Sequence, residues 1–237
     1  MRRALAAGLI APVFASAAVF TAKLQPETIT AWDRYVEQAE HRRPTVAIGE
    51  SDPVLIDLNP NGDVPSGYIH HWVGAIRIPN ATVASVRGVL EDYDAYSRVY
   101  APDLKAASAS KIGQDAYDVQ LITERWEGVG LRFAFDIRSK VNFHADQVDS
   151  RSYSIRESNS GKPPYNDLLP EGNDHGILWR LNSYWRLRQA GPDVQAECEV
   201  ISLSRKPLFG MGTLVKTRAR DSLAATLKQT RDRATSR

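Results

Sequence analysis

The most regular alternation of apolar and polar positions runs from Ile177 to Arg205 and predicts two long strands joined by a tight turn. Ile177, Trp179, Leu181, Ser183, Trp185 and Leu187 share one face of the first strand, with Leu178, Arg180, Asn182, Tyr184, Arg186 and Arg188 on the other. On the returning strand Val194, Ala196, Cys198, Val200 and Ser202 fall on one side, and Gln195, Glu197 and Glu199 oppose them. Pairing Arg188 with Asp193 sets Trp185 against Ala196, Leu181 against Val200, Tyr184 against Glu197 and Asn182 against Glu199. A slip of one residue would mix the two faces, so this register is expected.

Similar alternation marks Gly67 to Ile78, where Tyr68, His70, Trp72, Gly74, Ile76 and Ile78 share a face. It recurs in Ala116–Trp126, Leu131–Phe143 and Gln147–Glu157, and more faintly in Leu104–Ser110. The sum is about seven antiparallel strands. Helical spacing appears in Thr28–Arg43, with a Thr30/Asp33 capping box and a Trp32, Tyr35, Val36, Ala39 stripe. Two short helices, through Leu90 and over Asp92–Tyr100, follow the Gly67–Ile78 strand. The longest helix spans Pro207 to about Arg231, with Leu208, Met211, Val215, Ala219, Ser222, Thr226 and Leu227 in one stripe, long enough to lie across all the strands. An antiparallel sheet with one apolar face needs such a cover, so the class is α+β. Asn159–His175, rich in Gly, Pro and Asn, is either a functional lid or a long connection.

Composition narrows the picture. At 237 residues and 43% hydrophobic, the chain can bury one sizeable core. The formal charge of +2 includes Arg2 and Arg3, so without them the side chains sum to 0, and the basic residues are scattered. No nucleic-acid surface is expected. Residues 1–18 have a basic start, an apolar run and an Ala15-Ser16-Ala17 triplet, the pattern of a cleaved signal peptide; an uncleaved N-terminal anchor is the alternative. The expected location is exported and periplasmic. Residues 19–66 read as an extension packed on a main domain of residues 67–237. The single Cys198 is expected as a small buried hydrophobe.

The order of strand, two short helices, antiparallel meander and long terminal helix resembles the START-like (SRPBCC, polyketide cyclase/dehydrase and lipid transport) superfamily. The stretches that carry the resemblance are HHWVGAIRIPNATVASVRGVLEDYDAYSRVY, ILWRLNSYWRLRQAGPDVQAECEVISLSR and PLFGMGTLVKTRARDSLAATLKQTR. It implies a helix-grip fold, a curved sheet wrapped round the terminal helix, with an apolar tunnel between them. It also implies binding or transfer of a lipid, quinone or polyketide-like molecule. By position in the chain, the ligand-facing set would be Trp72, Phe133, Phe135, Trp179, Leu181, Trp185, Met211 and Val215. Two other readings stay open: a cyclase- or hydrolase-type enzyme, and an interaction domain whose core is filled.

Catalytic signals are sparse. There is no HExxH, GxSxG or phosphate-binding glycine loop, and no cofactor or metal is implied. His70 and His71 are adjacent in a strand and face opposite ways; His70, beside Trp72, is the one candidate base. Arg180, Asn182, Tyr184, Glu197 and Glu199 form a polar ladder, exposed on the surface unless the N-terminal segment covers it. Lys216, Arg218, Arg220, Lys228 and Arg231 could meet an anionic membrane surface, with an ordinary solvated face as the alternative. A monomer is expected.

Overall fold

The computed structural model describes residues 21–42, 44, 46–127, 131–206 and 212–236. The elements are β1 (Ala22–Lys23), α1 (Pro26–Glu40), β2 (Val54–Asp57), β3 (Asp63–Val64), β4 (Gly67–Ile78), α2 (Val83–Glu91), a 3-10 turn over Tyr93–Ala95 and α3 (Tyr96–Val99). There follow β5 (Leu104–Lys111), β6 (Ala116–Glu127), β7 (Leu131–Phe143), β8 (Gln147–Glu157), β9 (Asn173–Asp174), β10 (Arg180–Ala190), β11 (Asp193–Ser204) and α4 (Gly212–Thr235). Eight strands run in the order β2-β4-β11-β10-β8-β7-β6-β5, with β3 also paired to β4, giving a nine-stranded antiparallel sheet. This is two strands more than the pattern predicts, because residues 19–66 supply β2 and β3. Residues 1–18, where the sequence pattern leads one to expect a signal peptide, lie outside the described residues.

The β10–β11 hairpin is two residues tighter than expected. Ala190 pairs with Asp193, so Trp185 meets Cys198, Leu181 meets Ser202, Tyr184 meets Glu199 and Asn182 meets Ile201. The turn is Gly191-Pro192, and Gly191 takes the positive φ (62°) that a strand-matching two-residue turn needs at its first central position. The side chain of Gln189 fixes the turn from outside, donating to the carbonyls of Ala81, Gly191 and Asp193. A shift of two leaves every side chain on its predicted face and changes only its partner.

The inner face carries the main core, with Ile76, Ile78, Trp185, Leu187, Val194, Ala196 and Cys198 packed against Val86, Val89 and Leu90 of α2 and Leu223 and Leu227 of α4. Contrary to the sequence expectation, α4 does not lie across the whole sheet; its contacts are mainly with β4. Gly74 makes that approach possible, since a Cβ there would stand 2.7 Å from Leu227 Cδ1 and 2.5 Å from Leu55 Cδ2. The buried seam of α4 runs through Leu223, Leu227, Thr230 and Ala234, while Ala219, Ser222 and Thr226 are only half-buried. Tyr93, Tyr96 and Tyr100 stack between α2 and α4, and Tyr100 hydrogen-bonds Thr230. Thr82 caps α2 in a reciprocal pair with Ser85.

The outer face is covered as well. Helix α1 starts at Pro26, two residues before the predicted start and without the Thr30/Asp33 box, and it lays Trp32, Tyr35, Val36 and Ala39 on Ile69, Ile201 and Leu203. The predicted stripe is therefore the docking face of a helix too short to persist alone. Val46, Val73 and Ala75 form a smaller outer cluster with Ile48, Val54 and Leu58. In β8 the pattern departs from expectation at Tyr153, which sits at a bulge and is exposed, hydrogen-bonding Asp118. Ser150 and Ser152 thus share the inner face with Ile155.

Candidate functional site

Where the sheet is not sealed by α2 and α4, its inner face consists of small and half-buried side chains. Trp72 on β4 pairs with Val200 on β11, which pairs with Ser183 on β10, which pairs with Ser150 on β8. One row further along, His70 pairs with Ser202, and Ser202 with Leu181. Trp72, Val200, Ser183, Ser150 and Leu181 are half-buried, as are Leu121 and Thr123 on β6. Phe133, Phe135, Ile137 and Ile155 form the floor beyond, buried together and packed with Leu121, Ile177, Leu178 and Leu181.

The sequence-predicted set divides clearly. Trp72, Phe133, Phe135, Leu181 and Trp185 all lie on the inner face. Trp179 does not. Its strand begins one residue later, and the indole turns to the outer cluster with Trp32, Ile69 and Leu203, its Nε1 donating to Asp174 Oδ1 at 3.0 Å. Met211 and the side chain of Val215 lie outside the described residues. Val200, Ser183 and Ser202, which the alternation places on these same faces, are absent from the ligand-facing set that the family resemblance implies; strand pairing brings them between its members.

His70, the candidate base, is inward and 5% exposed. Its Nε2 is 3.1 Å from Ser204 Oγ, and its ring lies 4.7 Å from that of Tyr68. Burial, aided by the Lys216 ammonium, pulls its pKa down to about 4, so the imidazole is neutral at physiological pH. Cys198 is buried and its thiol is pushed well up by burial, which makes it an inert core side chain. Glu157 and His175 pair at the base of the Asn159–His175 connection, Nδ1 to Oε1 at 2.8 Å. Burial raises the Glu157 carboxyl despite the histidine. That connection is tied down elsewhere, through β9 pairing with β1 and Tyr165 bonding Glu124.

The polar ladder is not a surface feature. Asn182, Tyr184, Glu199 and His71 are all buried beneath α1. Tyr35 Oη and His71 Nδ1 are 2.8 Å apart, and His71 Nε2 meets Glu199 Oε1 at 2.7 Å. Arg186 donates to Glu197 at 2.5 Å and to Glu199 at 2.6 Å. Burial disfavours the charged form of Glu199, but the bonds from His71 and Arg186 prevail and hold its carboxyl below the usual range. Glu40 of α1 accepts from Tyr184 and Arg151. Two crevices of about 300 and 360 Å³ flank this Glu40–Arg151 bridge.

The basic run on α4 is internally matched: Lys216 reaches the Pro60 carbonyl, Arg220 pairs with Asp221, Lys228 with Asp52 and Arg231 with Asp232. Among the described residues no group of His, Cys, Asp or Glu could hold a metal ion, and no helix is long and apolar enough to cross a membrane.

No family model matches the sequence, and no curated protein does. Solved structures do. A protein from Thermus thermophilus aligns over 69% of this chain and 96% of its own at 11% identity and a TM-score of 0.51. The fold is a helix-grip fold, a large antiparallel sheet packed against a long C-terminal helix. A di-domain aromatase/cyclase, BexL, from the BE-7585A biosynthetic pathway matches over 71% of this chain at 13% identity, with a TM-score of 0.50. The match spans 51% of BexL, about half of that two-domain protein. A STAR-related lipid transfer protein from Xanthomonas axonopodis aligns over 78% of this chain and 99% of the described fragment at 16% identity, with a TM-score of 0.45. Identities this low speak to the fold alone.

Proposed function

We propose that this chain binds an apolar small molecule, of lipid, quinone or polyketide type, between α4 and the inner face of the sheet, and that it does so as an exported, periplasmic protein. One observation carries the binding part: a contiguous run of inward positions (Trp72, Val200, Ser183 and Leu181) that is only half-buried although it belongs to the interior face. Apolar walls with a few polar groups are the usual lining of a small-molecule site. Burial of ligand surface would supply roughly 25 cal/mol per Å². Export rests on the leader pattern of residues 1–18. Binding or transfer is favoured over catalysis because the inward imidazole, His70, has one serine as its hydrogen-bond partner and no acid beside it in that bond.

The test is titration of the leaderless protein with 1-aminoanthracene, followed by probe fluorescence and Trp quenching. Saturable one-to-one binding is expected, weakened at least tenfold in Val200→Trp, which fills the half-buried band, with the circular dichroism unchanged. Absence of saturable binding to this and other apolar probes would instead support a filled core.

A further inference from the structure

His70 carries a specific, unmet hydrogen-bonding demand. Ser204 Oγ donates its one proton to the Arg205 carbonyl at 2.9 Å. With that proton assigned to the carbonyl, the 3.1 Å bond between Ser204 Oγ and His70 Nε2 is made with the imidazole proton, Nε2–H to Oγ. This assignment leaves the lone pair on Nδ1. Nδ1 is buried and has no hydrogen-bond partner among the described residues. A buried acceptor left unmatched costs about 1–3 kcal/mol, so a partner that satisfies it gains correspondingly.

The surroundings say what kind of partner fits. His70 lies on the inner face, with Ser202 opposite it in register, Leu181 one strand further and Trp72 two residues along the same strand. Tyr68 packs against the imidazole ring, and the Lys216 ammonium stands over Tyr68. The nearby ammonium and the burial both disfavour a second proton on the ring, so Nδ1 remains an acceptor over the whole neutral range. A carbonyl, ester, ether or carboxylate oxygen would set lone pair against lone pair. An O–H would not.

Taking the inner-face binding site as read, we propose that its ligand is an apolar molecule bearing a hydroxyl group, a phenol or an alcohol, whose O–H donates to His70 Nδ1. Because Nδ1 is closed off from solvent, the ligand reaches it by displacing the side chains that shield it, and a matched hydroxyl offsets part of that cost. A molecule of the same shape whose hydroxyl is capped gains nothing from doing so.

The experiment compares 2-naphthol with 2-methoxynaphthalene on the leaderless chain and on His70→Phe, with affinities measured by calorimetry. The ratio of the two affinities should favour the naphthol about 3- to 10-fold more in the wild type than in His70→Phe, the value of one hydrogen bond. Nitrogen-15 spectra of the wild-type histidines give a second readout that needs no variant: the free protein should show His70 as the Nε2–H tautomer, and 2-naphthol alone should shift its Nδ1 resonance. Equal ratios in the two proteins, or an Nδ1 signal indifferent to naphthol, would overturn the hydroxyl assignment while leaving the apolar site standing. If neither compound binds, the site itself is refuted, and the assignment with it.

Discussion

Replacing Arg186 by alanine tests the buried ladder most sharply. The guanidinium bridges Glu197 and Glu199, and Glu199 is 2% exposed beneath α1. Removing it strands a carboxylate that retains only His71 as a side-chain partner. Breaking a buried pair from one side costs about 3–5 kcal/mol. Arg186 is itself about one quarter exposed (23%) and water can enter, so the lower end, about 3 kcal/mol, is expected. Arg180 on the same strand face serves as the control, since its partners are the exposed Glu171 and the Trp179 carbonyl. Arg180→Ala should cost under about 1 kcal/mol. Urea unfolding reads both as midpoint shifts at constant slope. Adding Glu199→Gln to Arg186→Ala should recover part of the loss, because the stranded charge is gone. An Arg186→Ala protein within about 1 kcal/mol of wild type would refute the reasoning, since it would mean that Glu199 is not held in a desolvated pair.

Other consequences are open to measurement. The depressed His70 pKa means that the unfolded chain takes up a proton before the folded one does. Stability contributed by this group should therefore fall as pH drops from about 6.5 to about 4, by roughly 3 kcal/mol in all, and His70→Phe should flatten that part of the stability–pH curve. Gly74→Ala should lower stability by about 1–3 kcal/mol, as the new methyl meets Leu55 and Leu227; an unchanged melting temperature would show that α4 does not rest on β4 there. Trp32→Ala should cost about 3–5 kcal/mol and speed hydrogen exchange in α1 and β11 together; exchange confined to α1 would count against its role in covering the outer face.

The strand faces were legible because period-2 alternation survives any shift of register by two, and this is the shift that Gly191-Pro192 produces. Partners were not legible, since the length of the turn was set by Gln189, a polar residue whose three carbonyl contacts leave no trace in the pattern. Trp179 departs from its predicted face because the alternation continues to Ile177, three residues before β10 starts at Arg180, where the chain leaves Gly176 with a positive φ and Asp174 captures the indole. Alternation alone leaves the ladder either on the surface or under the N-terminal segment, because polar residues facing water and polar residues facing one another under a helix share one pattern. The signal that separates the two is the α1 stripe of Trp32, Tyr35, Val36 and Ala39, which requires an apolar seat, and the seat available is the outer face at Ile69, Ile201 and Leu203. In the inner site, the resemblance implies Trp72, Phe133, Phe135, Leu181 and Trp185 from position in the chain, and alternation places Ser183 and Ser202 on the same faces; what strand pairing adds is that these serines and Ser150 sit between the larger side chains.

Native mass spectrometry of the leaderless protein, with extraction and identification of what travels with it, addresses the central claim directly. The account predicts a stoichiometric apolar molecule, lost in Val200→Trp. Protein that emerges empty, and that stays empty when offered a broad set of apolar molecules, would contradict it.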